Sequence, residues 1–218
     1  MKIHKELIRL YRRFLFRVDV LKKDLNNILR YGLNAPRFCE TIWINPQEVD
    51  EIIYSSEIQR MTGKSRHEAS GTVVEWNLTN KPAPLTNEFR YNYCIEHWLY
   101  GKSWKELGVI DYMATTKKYG KWTEEQIEAR FHMLDRAFEE IRDMGRLKHR
   151  KEIDPGNFRE KDGILIHIGK GCQPYFGGGG FHRLAMAKVL KLDKIPACLG
   201  VIDKDSLPEL KNLRKPEC

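Results

Sequence analysis

Along residues 2–31, apolar side chains at Leu7, Tyr11, Phe14, Val18, Leu21, Leu25 and Ile28 recur at alternating intervals of four and three. That spacing predicts one long helix with a stripe compatible with a coiled coil. Gly32, Asn34 and Pro36 bring it to a close. A stripe of this kind has to be covered, either by the rest of the chain or by a second helix.

The pattern then breaks into short pieces. "TIWINP" predicts a strand stopped by Pro46, "QEVDEII" a brief helix or turn, and "GTVVEWNL" a strand or extended loop. Residues 81–86, with Pro82 and Pro84, read as a loop. "NEFRYNYCIEHWLYG" is a helix closed by Gly101, and "SWKEL" a short helix capped by Ser103. The firmest element covers residues 123–144. Thr123 and Gln126 form a capping box, and Ile127, Phe131, Leu134, Phe138 and Ile141 make one apolar face that ends at Gly145. Arg130, Arg136 and Arg142 are expected to lie in solvent around that helix. Arg66, His67 and Glu68 in "KSRHEAS" read as a polar surface loop.

From residue 150 the period changes to that of a small α/β unit. "GILIHIG" and "QPYFG" predict an antiparallel hairpin across the turn "KGC". A glycine-rich turn leads into the helix "FHRLAMAKVLKL", and "IPACLGVI" forms a further strand. In "ILIHIG" His167 falls on the face opposite the isoleucines, which predicts that it meets solvent. The segment after Asp203 is expected to be a peripheral extension.

Charge and cysteine content narrow the setting. The net charge of +8 is concentrated: residues 1–31 hold nine Lys/Arg against three Asp/Glu, and the other residues are near neutral. A basic helix can meet nucleic acid, an anionic membrane surface or an acidic partner. The five cysteines are scattered with no CxxC pair, so no zinc site is expected and a reduced, cytoplasmic setting is. The charges that interrupt the N-terminal segment argue against a secretory signal or a transmembrane segment.

The sharpest chemical signal is "QPYFGGGGFHRLAMAKVL". Gly178, Gly179 and Gly180 free the backbone for close approach, and a helix starting at Phe181 aims its unpaired N–H groups at the turn, where an anion can bind. His182 and Arg183 add donors, Arg183 with the reach for a bidentate phosphate contact, and Lys170 in the hairpin turn is a further candidate. The pattern lacks the Gly-Lys-Ser/Thr of a P-loop. Glu75 is the candidate base or metal-associated carboxylate, beside His182 as a second catalytic candidate.

"GGGGFHRLAMAKVLKLDKIPACLGVI", preceded by "GILIHIGKGCQPYFGG" and "WINPQEV", resembles the core of the ParB/sulfiredoxin superfamily. The resemblance implies an α+β fold: a small mixed sheet over residues 41–203, a mostly helical insertion at about 86–148, the helix of residues 1–34 ahead of it and a tail at 204–218. It also implies that Gly180, His182 and Arg183, at the positions of a G-x-H-R motif, contact phosphate of a nucleotide (ATP, ADP or CTP, with Mg2+). Two departures limit what carries over. Phe181 stands where sulfiredoxins place their cysteine nucleophile, so that repair chemistry is not expected. Phe181-His182 also replaces the Glu-Arg of partition proteins, and no helix-turn-helix module follows.

The leading expectation is therefore a protein that binds a nucleotide or another phosphorylated ligand, with phosphotransfer or hydrolysis as an extension. Two alternatives stay open: a DNA-binding protein or nuclease acting through residues 1–31, and a structural protein that forms homo-oligomers or holds a partner through the same helix.

Overall fold

The computed structural model describes residues 2–116 and 122–216. Helix α1 (Lys2–Tyr31) leads into β1 (Thr41–Ile44), β2 (Glu51–Ile52), α2 (Ser55–Thr62), β3 (Val73–Val74) and β4 (Ala83–Pro84). The helices α3 (Phe89–Tyr100), α4 (Val109–Thr115), α5 (Glu124–Met144) and α6 (Arg150–Ile153) follow, and the chain ends with β5 (Leu165–Ile168), β6 (Pro174–Phe176), α7 (Phe181–Val189), β7 (Ile195–Asp203) and α8 (Leu210–Leu213). The fold is α+β around one mixed sheet, ordered β1-β7-β5-β6-β2-β4, with β3 also paired to β7.

Strand β7 is the axis of the sheet, and its nine residues are all buried. It runs parallel to β5 and antiparallel to β1, while β5 and β6 form the expected antiparallel hairpin, with Ile166 opposite Phe176 and Ile168 opposite Pro174. Both faces of the sheet are covered. On one, Ile164, Ile166, Ile168 and Leu199 join the main core with Leu184 of α7, Tyr93 of α3 and Phe131 of α5. On the other, Leu165 and Cys198 pack with Val20, Phe38 and Cys39, and Val201 packs with Ile53, Ile58 and Val74.

That second layer corrects the expectation for His167, which is buried, not solvent-facing. Its Nδ1 accepts the Val201 amide at 3.0 Å, so the proton sits on Nε2, which has no partner. A β-carbon at Gly200 would lie 2.1 Å from Nδ1, so glycine is what lets the imidazole fit. The period of two placed His167 on the second face correctly; it could not show that α1 and α2 cover that face.

Helix α1 docks by a different face from the one its stripe suggests. Phe16, Val20, Asp24 and Asn27 turn inward, and most bonds at this junction are polar. Asn27 Nδ2 donates to the carbonyls of Pro36 and Gly71, both at 2.7 Å; Asp24 accepts from the Phe38 amide at 2.8 Å and pairs with Arg159 at 2.6 Å; Lys23 donates to the carbonyls of Glu68 and Ser70. Burial pushes the Lys23 ammonium down to about 8. Leu21 and Leu25 of the stripe remain 64% and 58% exposed.

Other expectations shift locally. Helix α5 has its capping box at Thr123 and Gln126 and closes at Gly145. "SWKEL" is a turn: Ser103 and Glu106 bond reciprocally without a helix between them. The segment after Asp203 is packed, with Leu210 fully buried and Arg214 paired to Glu40 at 2.9 Å. No helix of the described residues is long and apolar enough to cross a membrane.

Candidate functional site

The glycine turn grows directly out of the hairpin. Beyond Phe176 the ladder continues, the Gly177 amide donating to Leu165 O at 2.8 Å and Gly179 O accepting from the Leu165 amide at 3.0 Å. The chain then crosses the edge of β5 so closely that a β-carbon at Gly180 would lie 2.9 Å from the Ile164 Cα, and Gly180 also takes φ +86°. Only glycine meets both demands. Gly180 caps α7, and residues 178–183 are half-buried; the N–H groups of the first helical turn have no acceptor within the helix itself.

From the carbonyl side, Arg66 closes the turn. Its Nη1 donates to Gly178 O at 3.1 Å and Gly177 O at 3.4 Å. A residue expected in a surface loop thus fixes the shape of the turn, and nothing in "KSRHEAS" signals this, because the contact spans more than 100 positions.

His182 points toward α3. Its Nε2 lies 2.9 Å from the Tyr93 hydroxyl. Burial, then the guanidinium groups of Arg130 and Arg90, push its pKa down to about 4, so the ring is neutral near pH 7. Arg130 Nε is itself buried without a hydrogen-bond partner, and its guanidinium lies 5.9 Å from the centre of the Trp122 ring. Phe181 packs edge-on against Phe176 at 4.6 Å. His182 is thus the link between the glycine turn and Arg90, Arg130 and Tyr93. Sequence reading missed these last three because only the folding of α3 and α5 over α7 brings them in.

Arg183 does not join that group. It donates to the Lys148 carbonyl and lies 3.7 Å from Glu160, whose carboxylate is 1% exposed and also accepts the Arg150 amide. Each residue step along a helix turns the side-chain direction by about 100°, so His182 turns to Tyr93 and Arg183 to Lys148 and Glu160. Burial lowers the Arg183 pKa, and Glu160 opposes that shift. Between α5, α6 and α7 lies a cavity of about 400 Å³, lined by Leu134, Ile141, Leu147, His182, Arg183 and Met186, among others.

Lys170 and Glu75 lie elsewhere. Lys170 is exposed in the hairpin turn, at the opposite end of β5 and β6 from Gly177. Glu75 is exposed just after β3, which pairs with the last residues of β7, again far along the sheet from Gly180. Among the described residues no group of three or more His, Cys, Asp or Glu is arranged to hold a metal ion.

Two neutral histidines, His167 buried and His182 half-buried, make the fold acid-sensitive. His167 is held down to about 3 and His182 to about 4, both chiefly by burial, against 6.5 in the unfolded chain. Their stabilising contribution is full above pH 6.5 and is lost as pH falls through the folded values. The two together should remove roughly 4 kcal/mol between pH 7 and pH 5. Urea unfolding at both pH values measures this, and His167→Gln should flatten the difference by about half.

No protein family, curated protein or solved structure matches this chain.

Proposed function

We propose that the protein binds a phosphorylated small molecule, a nucleotide first of all, with its phosphates at the start of α7. The observation that carries this reading is Arg130: a guanidinium Nε buried without a partner, acting with Arg90 on His182 in the first turn of α7. A buried N–H donor without an acceptor is costly, and an anion held at the start of α7 within reach of Arg130 would relieve that cost. The resemblance of "GGGGFHRLAMAKVL" to the ParB/sulfiredoxin superfamily supports the same ligand class. A cavity of about 400 Å³ next to His182 is of a size that accommodates a base or sugar.

The reading is one of binding. Glu75, the expected base, is exposed and distant, and Glu160 is already engaged by Arg150 and Arg183.

Titration calorimetry at physiological salt with pyrophosphate, ADP, ATP, CTP and unphosphorylated adenosine tests it. At least one phosphorylated compound should bind, and adenosine at least about 100-fold more weakly, the equivalent of one or two charge-assisted hydrogen bonds. Equal binding of adenosine, or no binding at millimolar ligand, rules the reading out.

A further inference from the structure

The solvent face of α1 carries Ile8, Tyr11, Leu15, Leu21, Leu25 and Leu29, between 39% and 78% exposed. Ile8, Tyr11, Leu15, Val18, Lys22, Leu25 and Leu29 follow one another at intervals of three and four, so they occupy the two seam positions of a heptad, with Leu21 flanking the seam. Val20 and Asn27, which dock α1 to the rest of the chain, lie diametrically opposite that seam. The helix cannot roll to bury its stripe, because Asn27, Asp24 and Lys23 are tied to backbone groups of residues 36, 38, 68, 70 and 71.

We propose that α1 pairs with α1 of a second copy in an antiparallel two-helix seam centred between Leu15 and Val18. Three considerations select this occupant. A 3.5-residue repeat is the period of a helix packed on a helix, and α1 is the longest helix of the chain. The six exposed side chains offer on the order of 600 Å² per copy, which brings a pair to the lower edge of stable interfaces. Charge then sets the direction. A parallel pair places Lys22 face to face with Lys22 of the second copy. In the antiparallel pair, where one seam position faces the other, Lys22 meets Tyr11, the two ammonium groups stand about 16 Å apart along the axis, and screening at physiological salt removes most of their repulsion. Ile8 then meets Leu25, and Leu15 meets Val18. A membrane surface is the poorer fit, since Lys22 sits in the middle of the apolar face.

Sedimentation equilibrium of the full chain, from 1 to 100 μM, should give about twice the 25.7 kDa monomer, and Leu25→Glu should raise the dissociation constant at least 100-fold with unchanged circular dichroism. Direction is read by mixing Ile8→Cys and Leu25→Cys chains, both in a Cys172→Ser, Cys218→Ser background, under mild oxidation. Disulfides between the two variants and none within either one support the antiparallel seam. Cross-linking of each variant to itself overturns it. A chain that stays monomeric at 100 μM overturns the pairing altogether, and if it then floats with anionic vesicles, the face belongs to a membrane surface.

Discussion

Replacing Glu160 with alanine should lower the stability of the fold by about 3–5 kcal/mol, the cost of leaving a buried charge without its partner. Glu160 is 1% exposed, accepts the Arg150 amide and lies 3.7 Å from Arg183, whose Nη1 has no hydrogen bond of its own. Removing the carboxylate strands both the guanidinium and the amide. For a chain of this size the melting temperature should fall by about 10 °C. Arg183→Leu should be costly for the mirror-image reason, while the double variant Glu160→Leu/Arg183→Leu should be less damaging than the sum of the two, with a coupling of about 2 kcal/mol. Additive losses would mean that the two groups do not act as a pair, and would return Arg183 to the set of candidate ligand contacts.

Arg130→Ala should do the reverse, weakening phosphate binding by about ten- to a hundred-fold while leaving the melting temperature nearly unchanged. Arg130 Nε has no hydrogen-bond partner, and its guanidinium lies 5.9 Å from the Trp122 ring centre, a contact worth little to the fold at that distance. Its electrostatic reach is directed at His182. Arg130→Lys should recover part of the affinity, because a point charge restores attraction but not the planar donor geometry. Denaturant midpoints measured beside the titrations separate the two effects. A stability loss comparable to that of Glu160→Ala would show Arg130 to be a structural residue.

The contrast between these two arginines marks where sequence reading succeeds and fails. Helix α1, the capping box of α5, the β5–β6 hairpin and β7 were legible because each is written in local signals: period, cap residues and turn glycines. The glycine turn was legible for the same reason, since Gly180 answers a backbone demand that a run of glycines announces. The partners of that turn were not. Arg183 adjoins His182 in sequence, and adjacency suggested a shared ligand; on a helix it implies divergence, and Arg183 faces Glu160. Arg66 reaches the turn, and Arg90 and Arg130 act on His182, from three separate segments, and each looks like an ordinary surface arginine until the chain has folded. The same blindness hid which side of α1 docks, because Asp24 and Asn27 are buried by hydrogen bonds that no hydrophobic pattern records.

The central claim is that backbone N–H groups at the start of α7 hold a phosphate. Amide resonances in two-dimensional NMR report it directly when pyrophosphate or the tightest nucleotide is added. The largest shifts should fall on Gly178, Gly179, Gly180, Phe181 and His182, should saturate with the calorimetric affinity, and should be lost in Arg130→Ala. Saturating binding that leaves those five amides unmoved and shifts residues at the Lys170 end of the hairpin would contradict it.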